Sequence, residues 1–284
     1  MTPPRLDGKT VLLTGAAGGM GSVMTLALLE AGAAVVAVDR DEAALHALLG
    51  RARARGLEAK LLPHRADLGD RSACEAVVPG VLAEHGALHG LVNLAGIGPT
   101  VFSPDYAVKP VRFWECDIGA WQRLMDINVR AAWILAGAAV PAMLRQGWGR
   151  IVNVTTSFDT MLQPNNAAYG QSKAALEAAT ASWARELEGT GVTVNALAPG
   201  GPTDTPLIPA NSPMPRHAMI RPEVMGAPAV WLLGEGSDGF TNRRVIARNW
   251  RGELPGAEAA SAASAPAAWP GFGTQSVRPR PATT

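Results

Sequence analysis

Thr14-Gly15-Ala16-Ala17-Gly18-Gly19-Met20-Gly21 is the stretch whose reading decides the fold. It follows a short apolar run at 11–13 and opens into a helical pattern over 22–30. Glycines there let the chain turn sharply and bring bare backbone against a pyrophosphate. The helix that follows offers free N–H groups and the positive end of its dipole. A glycine turn alone serves close helix–strand packing equally well, so its surroundings matter. A second strand-like run follows the helix and ends on Asp39, 18 residues past Gly21. A carboxylate at that point accepts both hydroxyls of an adenosine ribose and repels a 2'-phosphate, which points to NAD. Arg40 argues the other way, since a guanidinium pairs with a 2'-phosphate, so NADP stays open and NAD is the expectation.

Outward from the turn, the same rhythm runs from Thr10 to about Arg248. Apolar runs at 11–13, 34–38, 59–62, 90–93, 151–154, 193–197 and 245–247 alternate with alanine-rich helical segments, as in βαβ units stacked around a parallel sheet. The runs are apolar throughout rather than alternating, which means burial on both faces. The expectation is one α/β domain over 1–251, a seven-stranded parallel sheet with helices on both faces. Residues 252–284 are rich in Ala, Ser, Pro and Gly without a helical or strand period. They are expected as a tail outside the core, with Trp269 and Phe272 as candidate anchors onto a neighbour. Two long, proline-bearing connections, 97–117 and 200–222, follow strand ends, where lids and binding loops are common.

The 284 residues are 48% hydrophobic and 17% charged, with 25 basic against 24 acidic side chains. That excludes disorder over most of the length, and it excludes a global field drawing the chain to nucleic acid or an anionic membrane. The nearly apolar stretch 131–144 is shorter than the ~20 residues a membrane span needs, and no basic-then-apolar leader precedes residue 15. Cys74 and Cys116 form no CxxC pattern. A cytoplasmic protein without nucleic-acid or membrane partners is expected. His85 and His89 are separated by the helix breaker Gly86, so no metal is expected, and a Gly-x-Ser-x-Gly nucleophile elbow does not occur.

Asp67-Leu68 and Asn93-Leu94-Ala95-Gly96 follow the third and fourth strand runs, at the sheet edge where open α/β sheets bind ligands. Tyr169 and Lys173 lie four residues apart in a helical segment, 167–188, and so share a face. A phenol with a pKa of about 10 is a poor base at neutral pH, but an adjacent ammonium favours phenolate.

With Thr14-Gly15-x-x-x-Gly19-x-Gly21, Asn93-x-Ala95-Gly96, Asn128, Tyr169-x-x-x-Lys173 and Pro199-Gly200 in this order and spacing, the chain resembles the short-chain dehydrogenases/reductases of the compact type, from about Leu6 to Arg248. The resemblance implies a single Rossmann-type, doubly wound domain and hydride transfer to or from a secondary alcohol or ketone carbon. It also implies a homotetramer or homodimer acting on a small molecule. The nicotinamide cofactor would be held by Gly15, Gly18, Gly19, Met20, Gly21, Asp39, Arg40, Asp67, Leu68, Asn93, Ala95, Gly96, Tyr169, Lys173, Pro199, Gly200, Pro202 and Thr203. By the same likeness Tyr169 is the general acid/base, and Lys173 lowers its pKa while bonding the nicotinamide ribose. Asn128 holds the helix and a water beside Lys173. The family's substrate-orienting serine falls at Thr156, which keeps the hydroxyl and adds a methyl that narrows the pocket. Ser157, one position on along a strand-like segment, would turn to the opposite side.

Two positions depart from the family. Pro202 lacks the N–H that commonly grips the carboxamide, which transfers that duty to Gly201, Thr203 or Thr205. The final strand, 244–248, lacks the usual glycine-rich ending. The two long loops contribute Phe102, Tyr106, Phe113, Trp114, Met214 and Met219, which suggests a largely apolar substrate pocket. The competing reading is a dinucleotide-binding regulatory or scaffold protein of the same fold without turnover.

Overall fold

The computed structural model describes residues 4–166 and 168–272. β1 (Thr10–Thr14) enters the glycine turn, α1 (Gly19–Glu30) leaves it, and β2 (Ala34–Asp39) returns to the sheet. α2 (Glu42–Arg53) starts where the Asp41 carboxylate accepts the Ala44 amide, and β3 (Leu61–Arg65) follows. α3 (Arg71–His85), capped by Asp70, leads to β4 (Gly90–Asn93). After the first long loop come α4 (Ile118–Met125), a π-helical turn (Asp126–Arg130) and α5 (Ala131–Gln146). β5 (Gly149–Val154), the short α6 (Phe158–Leu162), α7 (Tyr169–Glu186) and β6 (Val192–Ala198) follow. After the second long loop the chain forms α8 (Gly226–Leu232), β7 (Arg243–Ile246), α9 (Gly256–Ala262) and β8 (Ser264–Pro266).

The strands make one sheet in the order β3-β2-β1-β4-β5-β6-β7-β8. The first seven pair in parallel, and the winding reverses between β1 and β4, the switch point at which such sheets bind ligands. Alternation sorts the core. Val11 and Leu13 point into the layer of α1, α2 and α8, whereas Leu12 points into the opposite layer with α3 and α5. This is the expected Rossmann-type architecture with one correction: eight strands, not seven, the last antiparallel to β7.

The extra strand comes from the expected tail. α9 buries Ala259 and Ala260, and β8 covers the edge of β7. Its signal is faint because α9 packs through alanine and β8 is three residues long. Trp269 does anchor the segment, but onto Phe158 of its own chain, with ring centroids 6.0 Å apart. The remainder of the expected tail, 273–284, and the side chain of Phe272 lie outside the described residues.

The π-helical turn joins α4 to α5, so Ile118–Gln146 is a continuous helix of 29 residues, long and apolar enough by length and composition to cross a membrane, with 50% of its apolar window buried in the protein. The apolar run 131–144 begins only after Arg130, because the charges of Arg130 and Asp126 lower the hydropathy there, yet their i,i+4 ion pair lies along the helix and does not end it. Among the described residues no three His, Cys, Asp or Glu side chains are grouped to hold a metal.

Candidate active site

The C-terminal ends of the central strands border a cleft of about 510 Å³. Of the expected residues, Gly15, Gly18, Gly19, Met20, Gly21, Asp39, Arg40, Asp67, Leu68, Ala95, Gly96, Tyr169 and Lys173 line it. Gly15 turns the chain at φ +67, and a Cβ there would stand 3.0 Å from Ala95 Cα. A Cβ on Gly21 would fall onto the Gly15 carbonyl oxygen. Thr14 Oγ1 ties the turn to the loop after β4, accepting the amides of Leu94 at 3.1 Å and Ala95 at 3.0 Å. No side chain caps α1 at Gly18, and its first turn carries no acid, so its amide donors open onto the cleft. A diphosphate fits a bare, positively polarised helix end of this kind. Asp39 Oδ2 accepts the Ala17 amide at 3.0 Å, which aims the strand-end carboxylate across the turn. The Gly69 amide, with Arg123 beside it, holds the Asp67 carboxyl below its ordinary range.

At the other end, Tyr169 starts α7 in a tight seat. Ala168 before it adopts φ +59, and a Cβ on Gly170 would fall onto the Met161 carbonyl. A left-handed alanine costs about 1 kcal/mol or more, and such strain gathers where a side chain must be held in one place. Lys173 is 4% exposed and donates to the Val154 carbonyl at 3.0 Å, its Nζ 6.0 Å from the Tyr169 ring centroid. Burial pushes this ammonium down to about 8. Burial, with a smaller contribution from Tyr106, pushes the Tyr169 phenol up to about 12. Desolvation thus governs the phenol, and the hydrogen bond of Lys173 goes to the backbone rather than to Tyr169.

Asn128, 1% exposed, stands in the π-helical turn behind the cleft. Its Oδ1 accepts the Ile97 amide at 2.8 Å, and its Nδ2 donates to the Ile97 carbonyl and to Ser172 Oγ, both at 3.0 Å. Ser172 Oγ in turn donates to the Tyr169 carbonyl at 2.7 Å, so Asn128 stitches the loop after β4 to the helix that carries the tyrosine. π-turns are frequent at functional sites for this kind of reason. Thr155 lines the cleft, whereas Thr156, the expected orienting residue, is half-buried and is not among its lining residues. Ser157 Oγ is committed to capping α6, accepting the Thr160 amide at 3.1 Å.

Some expected residues are not brought to the cleft. Asn93 Nδ2 donates to Asn153 Oδ1 at 2.9 Å, between neighbouring strands. Pro199, Gly200, Pro202 and Thr203 do not line it. Ile220 donates its amide to the Pro202 carbonyl at 2.9 Å and bridges Thr203, which turns this segment away. Thr205, Pro206 and Leu207 take its place, and a Cβ on Gly19 would stand 2.6 Å from Thr205 Cγ2. Thr205 is thus the one of the three candidate replacements for the Pro202 donor that reaches the cleft. Thr100 and Leu207 also line it, without any sequence signal beyond the length of their loops, as does Ile127 of the π-helical turn.

A family model described as short chain dehydrogenase matches residues 9–215. The chain is 36% identical over 199 residues to a short chain dehydrogenase of Pseudocercospora fijiensis, a match covering 69% of this chain and 60% of that protein. It thus spans less than two thirds of that relative's length. Over 196 residues it is 36% identical to the 3-oxoacyl-(acyl-carrier-protein) reductase of Thermotoga maritima, covering 69% of this chain and 75% of that one. Among solved structures, an NAD(P) dependent gluconate 5-dehydrogenase of Beutenbergia cavernae with bound NADP at low occupancy aligns with a TM-score of 0.73 and 29% identity, over 86% of this chain and 96% of that one. Because the matched region runs from β1 through β6 and takes in both ends of the cleft, the chain belongs to the short-chain dehydrogenase/reductase family of NAD(P)-dependent oxidoreductases.

Proposed function

We propose that the protein interconverts a secondary alcohol and its ketone on a small-molecule substrate, using NAD in preference to NADP. The observation that carries this reading is the meeting, in one cleft, of the bare N-terminus of α1 with the Tyr169–Lys173 pair. A bound nicotinamide dinucleotide supplies the hydride acceptor or donor. The glycine turn holds its pyrophosphate, Asp39 the adenosine ribose, Lys173 the other ribose, and Thr205 the carboxamide in place of Pro202. Tyr169 passes the proton between its phenol oxygen and the substrate oxygen, and the Thr156 hydroxyl donates to that same oxygen. A panel of secondary alcohols and ketones, followed by dinucleotide absorbance, tests the reading. Tight dinucleotide binding without turnover on any of them would leave a scaffold instead.

The two buried groups set the pH dependence. Carbonyl reduction needs a phenol beside an ammonium, and with these groups near 12 and 8 that state dominates at neutral pH. Its kcat/KM is expected to stay level up to about pH 8 and then fall as Lys173 loses its proton. Alcohol oxidation needs a phenolate beside the ammonium, so its kcat/KM is expected to climb about tenfold per pH unit below that point and then level off. Initial rates in both directions check this, and equal slopes below pH 8 would refute the assignment.

Cofactor choice turns on residues 39 and 40. Asp39→Asn keeps an acceptor for the Ala17 amide and removes the charge that repels a 2'-phosphate, while Arg40 remains. The ratio of kcat/KM for NADP over NAD is expected to rise about tenfold, equivalent to roughly 1.4 kcal/mol. An unchanged ratio would remove Asp39 from the choice. We assign self-association, as a homodimer or homotetramer, to the face of Ile118–Gln146 on which Trp133 is 62% and Leu144 42% exposed, and sedimentation of the intact chain measures it. Two free cysteines, one buried, suit the reducing cytoplasm we assign as the compartment.

A further inference from the structure

Glu177 lies one helical turn beyond Lys173 on α7 and is fully buried. Arg244, on β7, reaches it across β6. Its Nη1 donates to Glu177 Oε2 at 2.6 Å and to Thr155 Oγ1 at 3.2 Å, and its Nη2 donates to the Thr156 carbonyl. Thr155 Oγ1 donates to Glu177 Oε2 at 3.0 Å, and the guanidinium lies 4.3 Å from the Phe158 ring centroid. Glu177 Oε1 accepts the amide of Ala268, just beyond β8, at 3.1 Å. Ala268 holds φ +60, a strained conformation for alanine that aims this N–H, and Trp269 next to it stacks on Phe158.

A buried ion pair is a poor source of stability, because desolvation offsets most of the attraction and apolar residues of like volume often do as well. An apolar pair, however, cannot fix the direction of a carbonyl and a hydroxyl on adjacent residues. A planar guanidinium with several fixed donors can. The acceptors of Arg244 belong to Thr155, Thr156 and α7, so one side chain locks the segment leaving β5 to the helix that carries Tyr169 and Lys173.

We propose that Arg244 and Glu177 are positioning residues that set Thr156 against Tyr169, and that the C-terminal segment 264–269 belongs to the same device, occupying the second oxygen of Glu177 and backing Phe158. The proposal rests on the reading of Thr156 as the group that orients the substrate. It also gives a role to one departure from the family pattern, the altered strand at 244–248, whose β7 carries Arg244, and to β8, which brings Ala268 to Glu177.

Arg244→Lys is the informative variant. It keeps a cation opposite Glu177, yet one ammonium cannot serve Thr155, Glu177 and Thr156 together. We expect kcat to fall about tenfold while the KM for the dinucleotide moves less than about twofold, and the same substitution to cost less than about twofold in a Thr156→Val background. Amide hydrogen exchange of the peptide spanning 154–162 should rise about tenfold in Arg244→Lys and by a smaller factor in Trp269→Ala, with the glycine-turn peptide unchanged in both. Unchanged exchange at 154–162 in Arg244→Lys, or an equal loss of kcat in both backgrounds, would overturn the proposal. Unchanged exchange in Trp269→Ala would remove the C-terminal segment from it. If Thr156→Val turns over like the wild type, the reading of Thr156 fails, and the exchange data still decide whether Arg244 holds the segment.

Discussion

Replacing Tyr169 by Phe is expected to lower kcat by about 10³-fold while leaving dinucleotide affinity within about twofold and the fold intact. The asymmetry follows from what the hydroxyl does in this chain. The backbone of Tyr169 serves the structure: its carbonyl accepts Ser172 Oγ, which links it to Asn128, and phenylalanine keeps that bond. The ring keeps its place at the start of α7 beneath Ala168 and Gly170. Only the phenol oxygen is lost, and burial has already pushed that group up to about 12, so removing a costly polar atom does not lower stability. Without it, proton transfer to the substrate oxygen falls to water, and a positioned acid/base is worth about 10² to 10⁴ in rate. Steady-state kinetics alongside dinucleotide titration measures both halves. Turnover equal to wild type would take the proton away from Tyr169 and with it the proposed reaction.

The fold is legible where burial on both faces leaves strands little choice of composition. The runs at 34–38, 90–93, 151–154 and 193–197 fall on β2, β4, β5 and β6. The third run is displaced, since β3 is Leu61–Arg65 and contains Pro63, His64 and Arg65. It is an edge strand, exposed on alternate residues and able to accept a proline, so a search for continuous apolarity misplaces it. β7 likewise contains Arg243 and Arg244, and no apolar pattern anticipates an arginine buried in an ion pair. In the site, residues whose place follows from local chain geometry are legible: the glycine turn, Asp39 and the i,i+4 pair on α7. Asn93 is not, because its motif says nothing of Asn153 on the neighbouring strand, which takes its carboxamide. Thr205 reaches Gly19 only because Pro202 and Thr203 are zipped onto Ile220, a contact made across a proline-rich loop with no periodicity to announce it.

The glycine turn supplies the other large expectation, and three of its four glycines, Gly18, Gly19 and Gly21, should behave differently. Gly21→Ala should cost about 3 kcal/mol of stability, near the upper range for overpacking, and about 100-fold in dinucleotide affinity. The added Cβ falls onto the Gly15 carbonyl oxygen, so either α1 or the turn must move. The turn cannot retreat, because Gly15 already stands 3.0 Å, measured from a would-be Cβ, off Ala95 Cα, and Thr14 Oγ1 holds Leu94 and Ala95 in place. The helix must therefore shift, and it carries with it the amides that receive the pyrophosphate. At Gly18 a Cβ would meet the same carbonyl at 3.4 Å, an ordinary contact, and Gly18→Ala should cost less than about 1 kcal/mol. Gly19 lies between them, since its Cβ would meet the tip of Thr205 at 2.6 Å, a side chain on a loop that can give way. Gly19→Ala should therefore recover only in part when combined with Thr205→Ser, which removes the methyl and keeps the hydroxyl but leaves Thr205 Cβ 2.8 Å from the added carbon. Thermal unfolding and dinucleotide titration across the three substitutions read this order directly. A Gly21→Ala protein that binds like the wild type would mean that α1 is not seated on the turn as described, and the cleft would lose its phosphate end.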